Sequence, residues 1–211
     1  MIILKKVTNT KMGNHVFILM MSLMIPVFIL SDTQAAEFQL HKMAPNEFEI
    51  VTSKVSKVIG PDDNKLEVLP FDLNQTFQVS RNQEKIGYLI PVKFNSKTYK
   101  NTICRLYFLD RFENLENVNL FAEKNDDEDI VTSCVGVGAV SINTYKSGSF
   151  DYLAVLRTRL ANTYGSSGVV VRFEGNNFIY NQKLNSCLRK GKPIETITML
   201  KKKNIICSKK Y

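Results

Sequence analysis

Four cysteines, Cys104, Cys134, Cys187 and Cys207, limit what this 211-residue chain can fold into. All four lie downstream of a segment laid out like an export signal. Lys5, Lys6 and Lys11 make a positive stretch, Val16–Leu30 is an apolar run, and SDTQAAEF follows with small residues at Thr33 and Ala35. Charge, a short apolar run and a small-x-small site are the layout of a cleavable signal peptide, here residues 1–35. The apolar run has 15 residues and includes Pro26. A transmembrane helix needs about 20. An even number of cysteines in an exported chain reads as two disulfides, because the compartments it enters are oxidising. Three pairings are open. The local one, Cys104–Cys134 with Cys187–Cys207, is preferred because each pair closes a short loop. The expected location is secreted or periplasmic, with a bacterial source favoured by the small-x-small site.

Residues 36–211 are expected to form a single exported β-rich domain, with a subdivision, if any, near 110–130. The fold class read from the sequence is α+β: mostly antiparallel β hairpins, one main helix near 150–164, and disulfide stabilisation. FEIVTSKVSKVIG (48–60) alternates in part and reads as strand, before a turn cluster at Gly60–Asn64. KLEVLPF, TFQVSR, KIGYLIPVKFN and TYKNTICRLYFL continue as strands, the last two joined by a polar turn. Pro91 cannot donate to a ladder and belongs at an edge or a bulge. Residues 110–129 are acidic and Asn-rich and read as a surface connection containing a short helix or an edge strand. IVTSCVGVGAVSI reads as a buried strand. In GSFDYLAVLRTRLANTYG, Tyr152, Leu156, Leu160 and Tyr164 recur every four residues between Ser149 and Gly165, which predicts the helix. SGVVVRFEGNNFIYN predicts a hairpin around Gly175–Asn177, NQKLNSCLRKG a short helix, and PIETITML and NIICSK two strands around a Lys-Lys-Asn turn.

The available chemistry is narrow. His15 falls in the signal segment and leaves His41 as the one histidine of residues 36–211, so a hydrolase with a histidine base would depend on it. Zinc is not expected, since there is no CxxC pair and almost no histidine. Gly136-Val137-Gly138 lacks the βαβ surroundings of a dinucleotide loop, and small residues packed in a strand account for it. Gly165-Ser166-Ser167-Gly168 reads as a helix cap and turn. Asn125–Asp129 lacks the spaced oxygens of a calcium loop. No cofactor, no metal and no catalytic residue is assigned, although Glu174 is the carboxylate an enzyme reading would test. The stretch Tyr164–Gly168, with an aromatic hairpin and Lys183 after it, resembles the serine-glycine loop of periplasmic lysozyme inhibitors. The tryptophan and Lys-Gly pair that follow that loop are missing here, and no family is assigned.

The charge is lopsided. Residues 183–211 hold nine basic groups and one acid, Glu195, a net of +8, whereas residues 36–182 hold 16 basic and 18 acidic groups, a net of −2. A patch this concentrated steers anionic partners. The candidate partner-binding residues are Arg189, Lys190, Lys192, Lys201, Lys202, Lys203, Lys209 and Lys210. Nucleic acid is not the expected partner, because aromatic residues are not interleaved with this charge. The leading expectation is an exported, non-catalytic binding protein (an envelope component, a secretion accessory or a host-facing factor) that meets a protein partner or an anionic envelope or host surface. The runner-up is a periplasmic inhibitor or immunity protein that blocks one enzyme. The third is a histidine-independent secreted enzyme or toxin.

Overall fold

In a computed structural model of the chain, the described residues are 37–59, 66–96, 101–120, 133–160 and 163–210. The segment 1–35 read as a signal peptide, the Gly60–Asn64 cluster and the acidic run 125–129 lie outside them. Ala35–Tyr211 forms one compact unit. Among the described residues it holds two antiparallel sheets, three α-helices, a short 3₁₀ helix (Leu73–Gln75) and two disulfides. All paired strands run antiparallel.

The first sheet holds β1 (Phe38–Lys42), β2 (Leu66–Val68), β3 (Phe77–Arg81), β4 (Glu84–Ser96), β5 (Asn101–Asp110) and β6 (Leu115–Asn119). Its order is β1-β3-β4-β5-β6, with β2 also on β4. Strands β3 and β2 share one side of β4, reaching Leu89 and starting again at Phe94. Pro91 falls in the interval between them and pairs with Leu106 on the β5 side, so its missing N–H lies at a local edge. The second sheet holds β7 (Ser133–Thr144), β8 (Phe150–Leu160), β9 (Thr163–Glu174) and β10 (Asn177–Ile179), in the order β10-β9-β8-β7. Asn82 and Gln83 (φ 51° and 70°) turn β3 into β4, and Gly175 and Asn176 (φ 56° and 73°) turn β9 into β10. Two successive positive φ values match the twist of a two-residue hairpin.

Three apolar clusters order the layers. Leu89, Leu106 and Phe108 of the first sheet meet Tyr152, Leu156, Val171 and Phe173 of the second between the sheets. The outer face of the first sheet, with Tyr88, Ile90, Val92, Phe94 and Tyr107, is covered by α1 (Pro45–Ile59) through Val51 and Val55. The outer face of the second sheet, with Leu153, Val155 and Val170, is covered by α2 (Gln182–Arg189) and α3 (Ile197–Ser208) through Leu188 and Leu200. The order is helix, sheet, sheet, helix pair. These clusters and both disulfides lie between Phe38 and Cys207, so the compact unit carries its own core.

Four sequence expectations are corrected. Residues 150–160 form strand β8, not a helix. A four-residue spacing is also a multiple of the strand period of two. Phe150, Tyr152, Ala154 and Leu156 face the inter-sheet core while Leu153 and Val155 face α3. A strand buried on both faces has no polar alternation to betray it. The stretch 48–59 is helix α1, not strand. Pro45 sits in its first turn, Phe48 N–H bonds Ala44 C=O at 2.9 Å, and Val51 and Val55 repeat one turn apart. Gly165–Gly168 lies inside β9 and is no helix cap. Strand β7 is a half-buried sheet edge with register shifts at Cys134/Gly136 and Val137/Ala139, not a fully buried strand.

Two positions make local tests. A Cβ on Gly87 would lie 2.4 Å from Leu109 O and 2.6 Å from the Phe108 ring. Neither a backbone oxygen nor a core ring can retreat, so Gly87→Ala should destabilise by about 2–3 kcal/mol, read as a lower urea midpoint. Tyr152 is fully buried, and burial pushes its phenol well above the usual range. Its hydroxyl has no hydrogen-bond partner among the described residues. Tyr152→Phe is expected to stabilise by about 1 kcal/mol, because an unpaired hydroxyl leaves the core; thermal melting measures it.

Candidate functional site

The basic C-terminal segment folds into a helical cap on the second sheet. At Asn181 the chain leaves β10, and the Asn181 side chain accepts from Leu184 N–H at 3.0 Å to start α2. One turn later Asn185, fully buried, takes the place where β10 would have continued along β9. Its amide oxygen accepts from Val170 N–H and its Nδ2 donates to Val170 C=O, both at 2.8 Å. Thr196 caps α3 by accepting from Met199 N–H at 3.2 Å. Leu200, Asn204 and Cys207 form the buried side of α3. Leu200 settles over Gly168, where a Cβ would come within 2.5 Å of its Cδ1. Cys187–Cys207 staples α3 to α2, and Cys104–Cys134 staples β5 to β7, which are the pairings preferred from the sequence.

The expected closing hairpin is corrected here. Residues 197–208 form one helix, and Lys201, Lys202 and Lys203 sit in its middle rather than at a turn. Met, Leu and Lys favour helix, and Leu200, Asn204 and Cys207 supply the helical spacing that a short apolar run such as Ile205-Ile206-Cys207 hides.

A groove of about 670 Å³ opens between α3 and the connection 190–194 that follows α2. Its apolar part is Pro193, Ile194, Met199 and Ile206, with the Cys187–Cys207 disulfide. Its charged part is Lys190, Lys192, Lys202, Lys203 and Lys210, and among the described residues no carboxylate side chain lines it. Lys203 donates to the Lys190 carbonyl, and partial burial lowers its ammonium pKa. Lys201 and Lys209 do not line the groove, and Arg189 turns to the Tyr180 hydroxyl. Five of the eight basic residues singled out in the sequence therefore share one groove. The sequence reading missed its apolar half. Met199, Ile205 and Ile206 are 41%, 60% and 58% exposed. The available signal was two adjacent isoleucines, which a one-faced helix cannot both bury.

Other polar clusters are occupied. Asp151, 3% exposed, accepts from Arg172 Nε at 2.9 Å and from the Tyr145 hydroxyl. Both its oxygens are engaged, so it is an ion pair in the wall of a smaller cleft rather than a poised base. Burial, then the bond to Asp151, raises the Tyr145 pKa. His41 Nε2 lies 2.7 Å from Ser80 Oγ, but Ser80 is 1% exposed and cannot present its hydroxyl to a substrate. Glu174 stands exposed at the β9–β10 turn, paired in register with Asn177. Among the described residues no group of three or more His, Cys, Asp or Glu could hold a metal ion. The Tyr164–Gly168 stretch that resembles an inhibitor loop is extended strand, with Tyr164 74% exposed and Arg159 5.6 Å over its ring.

No family model, no curated protein and no solved structure matches the chain. Two disulfides fit an oxidising, extracytoplasmic compartment. Among the described residues no helix is long and apolar enough to cross a membrane.

Proposed function

We propose that the chain is an exported, non-catalytic binding protein and that the α2–α3 cap is the surface that takes a negatively charged partner. One observation carries this reading: five lysines share the cap groove, with no carboxylate side chain among the described residues of its lining. Like charges held together raise the local potential, so the surface gains most from an anion. The staple and the Asn185 bonds hold the charge on a rigid frame. Lysine also protects exposed edges and aids solubility, but that role does not call for a shared concave face. The test is retention on an immobilised polyanion. Replacing Lys190, Lys192, Lys202 and Lys210 with glutamine should lower the salt concentration for elution well below that of the wild type. Unchanged elution would sink the reading.

A second reading, an inhibitor of one enzyme, draws on Phe112, 69% exposed at the β5–β6 turn with Arg111 4.8 Å over its ring. Exposed aromatic and Arg pairs are the side chains that anchor protein interfaces. Such a complex would resist salt and weaken on Phe112→Ala, leaving polyanion retention untouched.

A further inference from the structure

The make-up of the cap narrows the partner, resting on the reading of the cap as the binding surface. We propose that it docks on the surface of an anionic phospholipid bilayer, with Met199, Ile205 and Ile206 entering the boundary between headgroups and acyl chains while the lysines around them meet phosphates. In the sequence KKKNIICSKK, Lys202, Ile206 and Lys210 follow one another at four-residue steps, and so do Lys201, Ile205 and Lys209. On α3 each exposed isoleucine thus has a lysine one turn before and one turn after it on its own side. Lysine stems lie along apolar surface and lift their charge to the interface. A helix with exposed aliphatic side chains set among lysines is the pattern of interfacial binding.

The same composition argues against a protein partner here. Protein interfaces concentrate Tyr, Trp and Arg and are depleted in lysine. Within 183–211 the one aromatic residue is the terminal Tyr211, and the single arginine, Arg189, is turned to Tyr180. A fluid lipid surface needs no fixed register, which suits lysine as a flexible point charge. The docking is superficial, since α3 has 12 residues. At 1.5 Å per residue it spans about 18 Å, short of the ~30 Å hydrocarbon core. Disulfide and Leu200 contacts hold α3 flat against the sheet. The net −2 of residues 36–182 would turn the rest of the domain away from the membrane.

The experiment uses residues 36–211 with both disulfides formed, which removes the apolar run 16–30 from the binding assay. The probes are vesicles of phosphatidylcholine alone and of equal parts phosphatidylcholine and phosphatidylglycerol. The chain contains no tryptophan, so Ile206→Trp gives a single reporter. The expected results are co-sedimentation with the phosphatidylglycerol vesicles only and a blue shift of the indole emission on binding. The variant Ile205→Ser, which changes no charge and touches an exposed side chain outside the groove lining, should bind these vesicles several-fold more weakly while keeping its polyanion retention. Equal vesicle binding by that variant, or no blue shift, overturns the membrane inference. Polyanion retention without any vesicle binding, or capture only by a soluble acidic protein, overturns it too and leaves the proposed anionic partner standing. Loss of both removes both readings.

Discussion

Cys104→Ala/Cys134→Ala is expected to lower stability by about 4 kcal/mol, the loop-closure value for some 30 residues plus a small packing loss. The sequence separation is 30 residues, and the two cysteines are 1% and 0% exposed. The bond joins β5 of the first sheet to β7 of the second, inside the cluster that holds the sheets together. Removing it frees the sheets from each other in the unfolded chain and thins the layer between them in the folded one. For a domain of this size about 1 kcal/mol corresponds to about 3 °C, so melting should fall by roughly 10 °C. A fall of only a few degrees would mean that apolar packing alone fixes the sheets. The second staple should behave differently. Cys187 is half-buried, and the loop it closes spans 20 residues. Dithiothreitol added to the native protein should open Cys187–Cys207 first, as alkylation and peptide mapping would show.

Asn185→Leu should cost about 3 kcal/mol, because two buried backbone groups lose their partners at about 1–3 kcal/mol each. The leucine has nearly the shape of the asparagine but cannot bond Val170 N–H or C=O. Strand β10 ends at Ile179 and pairs no further along β9 than Arg172, so no strand residue stands ready to replace the amide. The prediction has a functional half. Losing these bonds loosens α2, which places Cys187 and leads into the 190–194 connection that lines the basic groove. Retention on a polyanion should weaken although no charge has changed. Normal retention with lowered stability would show that the staple and Leu200 suffice to place the cap.

Much of the framework was legible in the sequence. The local cysteine pairing, the β4–β5 pairing, the β9–β10 turn, the short helix after Asn181 and the β-rich character all follow from turn residues and loop lengths. The errors share a physical origin. Phe150–Leu156 is buried on both faces, and the four-residue spacing of Tyr152 and Leu156 satisfied both periods. Pro45–Ile59 and Ile197–Ser208 each bury one narrow stripe and leave Ile50, Val58, Ile205 and Ile206 exposed, which blurs the amphipathic pattern that marks a helix. For the site, the concentration of lysine was plain. Its concave arrangement was not, because it depends on α2 and α3 being stapled side by side. The exposed apolar side chains of α3 were hidden for the same reason: Ile205-Ile206 in a strand would put one side chain inside, whereas in α3 both stay out, Ile206 toward the groove.

On the proposed reading, the position of the charge, not its amount, makes the cap a binding surface. A charge-matched pair of variants tests it most directly. One replaces Lys190, Lys192, Lys202 and Lys210 with glutamine; the other replaces Lys42, Lys57, Lys93 and Lys146, which lie outside the cap. Both lose four positive charges. Binding to phosphatidylglycerol vesicles and to the polyanion should collapse in the cap variant and survive in the control. Equal losses in the two would contradict the account, since net charge alone would then explain the binding.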